Sequence, residues 1–347
     1  MEQQREYWID LAKALLIICV VLGHACPSGW EHQTIYAFHM PAFFILSGYL
    51  YKAHSWKQTA RSLFIPILFF GIINLIYSYA LNIGTNGLSL QAIGAYLGKS
   101  WQPFFVANHG AYRTPFTGQW FLIVLFLCRC LMGDLKMFAW TTKWRWQIMV
   151  VCILFTWLQP MIWEAYAAIQ DWHLAKVIVC WPFLIIGTYI KEFKEKMLSL
   201  KAYQLLILLA AGLFLTIQNK AVDIYESSYG ASPLLMYLNA TLITLLICNG
   251  LSRLEKRLSL LYRPAEILSR GTLVILGCHS IIISLTTILL NHIGMGSSRL
   301  NYIPATLATI IITYPIIIFL LDKAPVLAGK RKVKRELKNK KGLLAKR

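Results

Sequence analysis

Charge is the scarcest commodity in this chain. Of its 347 residues only 14% are Asp, Glu, Lys or Arg, and acids are rarer than bases, 15 against 34. Soluble domains carry about a quarter charged residues, so a soluble globular class is excluded. Paired cysteine is missing too. The eight cysteines form no C-x-x-C motif, and most of them, Cys19, Cys128, Cys130, Cys152, Cys180, Cys248 and Cys278, sit inside apolar runs. Zinc and dithiol chemistry therefore have no support, and buried apolar cysteine is the simpler account. The basic segment from Lys330 to Arg347 (KRKVKRELKNKKGLLAKR) contains no aromatic residue. It offers bases nothing to stack on, so the net charge of +19 is not read as nucleic-acid binding. A cytoplasmic basic flank against anionic lipid fits it better. The start lacks a cleavage box as well: in VLGHAC, Gly23 and His24 stand where a lipoprotein signal needs other residues, so an uncleaved first span is expected.

What fills the chain is apolar sequence, 57% of it. Runs of roughly 17–25 residues, each able to cross ~30 Å of hydrocarbon, recur along the length. The expectation is an all-α, polytopic membrane protein of about ten transmembrane helices. They are placed near 9–26, 35–51, 62–83, 119–135, 147–166, 173–190, 203–218, 232–251, 271–291 and 302–322. Lysine and arginine set the orientation. With a cytoplasmic N-terminus, the inner segments hold Lys52, Lys57, Arg61, Lys136, Lys143, Arg145, the lysines from 191 to 201, five bases between Arg253 and Arg270, and the tail. The outer segments hold only Lys99, Arg113, Lys220 and Arg299, so both termini are expected in the cytoplasm. Residues 1–327 read as one membrane-embedded domain and 328–347 as a basic cytoplasmic tail. The outward loop from about Gly84 to Gly118, with Trp101, Asn108, His109, Tyr112 and Arg113, suits sugar binding or a mobile connection equally.

The first span, KALLIICVVLGH, carries a cation and an imidazole eleven positions apart. At ~100° and 1.5 Å per residue, Lys13 and His24 point the same way, separated by ~16 Å of rise. Intramembrane ionisable groups face a cavity or a partner; Lys13 also has the option of snorkelling to the headgroups. Asp10 lies near the same face and within pairing reach of Lys13. In the second span, FHMPAFFILSGYL, His39 matches the depth of His24, which predicts a shared polar pocket. Ser47 and Gly48 interrupt its aromatic face, permitting either close helix contact or passage of a slender ligand. Arg129, Lys176 and His279 are further ionisable groups inside spans, the first two without a partner that the sequence reveals.

At these residues the chain resembles the membrane-bound acyltransferase family 3, in particular its sugar O-acetyltransferase branch related to fucose 4-O-acetylases. The resemblance rests on REYWIDLAKALLIICVVLGH, FHMPAFFILSGYL, RSLFIPILFF, GQWFLIVLF and RGTLVILGCHS. It covers the first 70 residues closely and the rest loosely. The family pattern has a basic residue, ten residues, then histidine; Lys13 stands here where arginine is commoner, which makes a bidentate phosphate contact less assured.

The resemblance implies an acyl-CoA-dependent O-acyltransferase of the bacterial inner (cytoplasmic) membrane. Such an enzyme moves acetyl from cytoplasmic acetyl-CoA to a hydroxyl of an envelope polysaccharide, glycolipid or lipid-linked sugar. It gives His24 the catalytic role and Lys13 and Arg61 donor binding. His39 is the accompanying catalytic candidate, as an oxyanion donor. Ser47 and Gly48 are expected along the donor path, and Trp120, His279 and Asp10 in substrate contact. Direct transfer and a transient acyl-histidine are both open, no metal is expected, and the oligomeric state is not legible. The rival reading is a transporter or flippase for small molecules or envelope glycans, although no paired halves are visible.

Overall fold

A computed structural model describes residues 6–26, 28–53, 55–86, 119–165, 173–295 and 300–330. The loop residues Trp101, Asn108, His109, Tyr112 and Arg113, and the tail beyond Lys330, lie outside them.

In chain order the helices are α1 (Tyr7–Ala25), α2 (Trp30–Tyr36), α3 (His39–Tyr49), α4 (Trp56–Asn86), α5 (Trp120–Met132), α6 (Leu135–Ala165), α7 (His173–Glu192), α8 (Lys194–Met197) and α9 (Ala202–Asn219). A two-residue hairpin follows, β1 (Val222–Asp223) antiparallel to β2 (Ser228–Tyr229). Then come α10 (Pro233–Leu254), a 3-10 segment Glu255–Leu261, α11 (Tyr262–Arg270), α12 (Thr272–His292) and α13 (Tyr302–Lys323). Among the described residues the fold is all-helical apart from that hairpin.

Among the described residues, seven helices are long and apolar enough to cross a membrane: α1, α4, α7, α9, α10 with its continuation to Arg270, α12 and α13. Their exposed faces carry large apolar residues, as with Leu206, Ile207, Leu213 and Phe214 on α9 and Ile311, Ile312, Ile318 and Phe319 on α13. Such faces belong against lipid. The chain is thus a multi-pass membrane protein.

The expected span at 35–51 takes a different form. Pro41 has no N–H to give the carbonyl of Ala37, so a helix cannot run back through it. The chain breaks at Phe38 (φ −141°, ψ −26°) and α3 starts afresh with 11 residues. That is ~16 Å of helix, about half the hydrocarbon thickness. A short, interrupted helix is tolerated at membrane depth only where protein surrounds it, and every residue of α3 is buried. The wrapping comes from α1, α7 and α10. α5, with 13 residues, is also too short to cross alone, whereas α6 has the length with 31.

Two glycines allow α3 and α7 to meet backbone to backbone. A Cβ on Gly48 would stand 1.9 Å from the Leu184 carbonyl oxygen, and one on Gly187 would stand 2.0 Å from that of Ile45. Gly48 therefore faces α7 and serves the close helix contact. Gly277 plays the same part between α12 and α4, where a Cβ would meet the Phe70 ring at 2.1 Å. Asn74 ties these two helices by donating to the Gly277 and Phe70 carbonyls, both at 2.7 Å.

One end of the bundle gathers basic residues and both described termini, and is called the basic end below. Glu6, just ahead of α1, pairs with Lys194 and accepts from the Tyr49 hydroxyl at 3.1 Å. Tyr7 stacks on Tyr262 at 4.5 Å, laying α11 along the start of α1. After Lys323 the chain turns back on itself, Lys330 N–H donating to the Pro325 carbonyl at 2.8 Å. The far end carries α2, the hairpin and the first turns of α5 and α7.

Candidate functional site

Near the basic end, a cavity of about 150 Å³ opens between α1, α3, α4, α5, α11 and α12. Four cations line it: Lys13, Arg129, Arg270 and Lys330, with the hydroxyls of Ser47, Ser62 and Ser269. Arg129 donates to Ser47 Oγ through Nε (3.1 Å) and Nη2 (2.9 Å). This single acceptor holds the guanidinium at the cavity wall. Ser269 donates to Asp10 Oδ1 at 2.7 Å, so the Asp10 carboxylate tethers α11 to α1 beside Lys13. Arg270 makes a 3.5 Å ion pair with Glu266. The four cations thus outnumber the acids beside them, which suits a polyanion.

The rest of the lining is apolar, including Phe43, Phe121, Leu122, Leu125 and Leu276. Phe43 lies one helical turn from His39 and Leu276 one turn from His279. The cavity therefore ends roughly 5 Å short of the histidine level. It is basic where the described termini lie and apolar towards the membrane middle.

Above it stands a cluster of imidazoles around Tyr36. The His24 and His279 rings are 5.0 Å apart, centre to centre, tilted by 42°. The Tyr36 hydroxyl is 3.5 Å from His24 Nδ1, and its ring lies 4.8 Å from His39 and 3.9 Å from His32. Gly23 makes this possible, because a Cβ there would stand 3.0 Å from Ile35 and 3.1 Å from the Tyr36 ring. His24 is exposed, while His39 and His279 are 2% and 1% accessible. Of these three rings, only that of His24 is open to the outside, and His32, on the other face of Tyr36, is half-buried.

The tautomers of the two buried rings follow from their partners. A carbonyl only accepts, so His39 Nδ1–H donates to the Ile35 carbonyl (2.8 Å). His279 Nδ1–H likewise donates to those of Leu276 (2.9 Å) and Ile275 (3.1 Å). Each neutral ring then has only a lone pair at Nε2; that of His279 lies 3.3 Å from Ser280 Oγ. His39 has its one N–H committed, so the neutral ring is no oxyanion donor. Tyr36 touches both rings and so joins it to His24.

The other expected site residues fall in three places. Lys13 and Ser47 line the basic cavity, and Asp10 lies beside Lys13, about 21 Å of helix away from His24. Arg61 is exposed on α4 and only its neighbours Ser62 and Leu63 reach the cavity. Trp120 is at the far end, 6.0 Å from the Tyr225 ring. There Lys176, fully buried, donates to Ser227 Oγ at 3.1 Å and lies 5.9 Å from the centre of the Tyr225 ring. Asp223 Oδ1 closes the hairpin by accepting from the backbone of Tyr225 (2.9 Å) and Glu226 (3.3 Å). Burial pushes the Asp223 carboxyl up to about 6, with Lys176 opposing.

Sequence reasoning missed Arg270, Lys330 and Tyr36. Arg270 reads as one more loop charge, Lys330 as tail, and Tyr36 as an interfacial aromatic. Arg129 did carry a signal, being a cation in an apolar run. No cluster of three or more His, Cys, Asp or Glu that could hold a metal ion exists among the described residues.

A family model described as an acyltransferase domain matches residues 6–321. No curated protein and no solved structure matches.

Proposed function

The chain belongs to acyltransferase family 3, whose model spans nearly all of it, and from that premise we propose an acetyl-CoA-dependent O-acetyltransferase acting on a sugar hydroxyl of the cell envelope. The observation that carries this reading is the cavity: basic at one end, apolar towards the other, and stopping one turn short of the His24–His279 pair.

Coenzyme A has phosphates at one end and a thioester at the other, joined by a long thin arm. Lys13, Arg129 and Arg270 fit the phosphates, the apolar lining fits the arm, and the direction of the cavity brings the thioester towards His24. Both termini then face the cytoplasm, where the donor is made, and the protein sits in the cytoplasmic membrane. His24 takes the proton of the acceptor hydroxyl as the new C–O bond forms at the thioester carbon. The C–S bond breaks and the departing thiolate receives that proton, giving the ester and free coenzyme A. The exposed face of His24 is where the acceptor enters. The Trp120–Tyr225 pair and the hairpin border that end, and aromatic faces suit sugar rings.

Calorimetric titration of the purified protein with acetyl-CoA tests the donor half. Saturable binding that weakens in Lys13→Gln supports it, and the absence of binding, or binding unaffected by that change, contradicts it.

A further inference from the structure

The chain beyond α13 does not leave the bundle at once. Ala324 to Lys330 folds into a compact turn, with Ala328 and Gly329 N–H groups donating to the Pro325 and Val326 carbonyls at 3.1 and 3.0 Å. Ala328 is wholly buried. Gly329 has φ +68°, and a Cβ on it would stand 2.4 Å from Leu273 Cδ1 and 2.5 Å from the Ser62 carbonyl oxygen. The turn is therefore wedged between the first turns of α4 and α12, in a conformation that a side chain at 329 would oppose twice over. Its last described residue, Lys330, lies in the wall of the basic cavity with Lys13 and Arg129.

We infer that this C-terminal turn is a built part of the donor site, and that Lys330 is a phosphate-binding cation delivered by it. The inference rests on the reading of the cavity as the coenzyme A site. Its warrant is the geometry: a glycine-locked wedge is a costly way to place a lysine whose only task is to be a basic tail. Burial draws the Lys330 ammonium below its ordinary value, and Arg270 and Arg129 add to this, with Asp10 opposing. A cation held among cations is relieved by a bound polyanion. The turn lines the basic end of the cavity through Gly329 and Lys330, so the donor's phosphates meet it as they settle. Arg61, by contrast, stays outside.

The test uses the full chain and two donors, acetyl-CoA and acetyl-pantetheine, which lacks every phosphate. In Lys330→Gln the dissociation constant for acetyl-CoA is expected to rise about tenfold, the loss of one charge-assisted contact, while that for acetyl-pantetheine stays put. Lys330→Arg is expected to restore most of the difference. Gly329→Ala, which keeps every charge but unseats the wedge, is expected to show the same donor-selective loss. Unchanged acetyl-CoA binding in Lys330→Gln, or an equal loss for both donors, overturns the inference and leaves the donor reading standing. A wild-type protein that does not prefer acetyl-CoA over acetyl-pantetheine overturns both.

Discussion

His24, near the end of α1, and His279, in the first half of α12, bring their rings to 5.0 Å of each other although they come from opposite ends of the chain. Two features create that proximity. α11 lies along the start of α1, so α12 begins level with Asp10 and Lys13 instead of at the bundle's edge. Gly277 then lets α12 press against Phe70. His279 has its Nδ1–H fixed by backbone carbonyls, which makes it a rigid neighbour for the His24 ring.

From this pairing, His279→Ala is expected to lower transfer about 10²-fold, the scale of misplacing a reacting group by an ångström. Acetyl-CoA binding should be unaffected, because the donor's phosphates lie at the other end of the cavity. Steady-state kinetics alongside donor titration checks both halves; a loss of donor affinity would place His279 on the donor path.

Arg129 donates twice to Ser47 Oγ and faces the cavity. Arg129→Lys keeps the charge but loses the planar fork that can grip Ser47 and a phosphate together. Acetyl-CoA affinity is expected to fall about tenfold, with Ser47→Ala giving a smaller loss in the same direction. Titration of both variants decides it, and full affinity in Arg129→Lys would remove the bidentate role.

The Gly48–Leu184 contact predicts a structural rather than a catalytic phenotype. A Cβ at 1.9 Å from a backbone oxygen has no flexible neighbour to displace, so Gly48→Ala must part α3 from α7. A destabilisation of at least ~2 kcal/mol is expected, read as a lower unfolding temperature in detergent. If Gly48→Ala unfolds like wild type and instead loses donor affinity, the glycine belongs to the donor path.

The hairpin should respond to pH. The Asp223 carboxyl ordinarily titrates near 3.8 and is raised to about 6 by burial. The folded state thus holds this proton more tightly than the unfolded one. Its contribution is fully present below about 3.8 and is lost as pH rises through about 6. Asp223→Asn keeps an oxygen for the Tyr225 and Glu226 N–H groups and cannot ionise. Relative to that variant, wild-type thermal stability is expected to decline between pH 4 and 7; parallel curves would contradict the burial of the charge.

The sequence revealed the class of the protein and suggested an axis for the proposed site. Low charge and long apolar runs were enough for a membrane bundle, and the eleven-residue spacing put Lys13 and His24 on one face because a helix repeats every 3.6 residues. It did not reveal that α3 stops short. A window of apolar residues looks the same whether it crosses lipid or is buried in protein, and only Pro41 hinted at the break. Nor did it reveal the company of the His24 ring. Equal depth suggested His39, but depth leaves azimuth undetermined, and packing against Gly23 put Tyr36 between them. The cavity's cations come from four separate stretches, 13, 129, 270 and 330, which no local pattern connects.

The central claim is that His24 serves the transfer itself. The direct measurement is label transfer in proteoliposomes, from radiolabelled acetyl-CoA to envelope glycan extracted from cells lacking this gene, with wild type and His24→Ala compared at equal donor occupancy. Wild type is expected to label the glycan, and His24→Ala to transfer about 10²- to 10⁴-fold more slowly while binding acetyl-CoA normally. Transfer by His24→Ala at the wild-type rate would contradict the account.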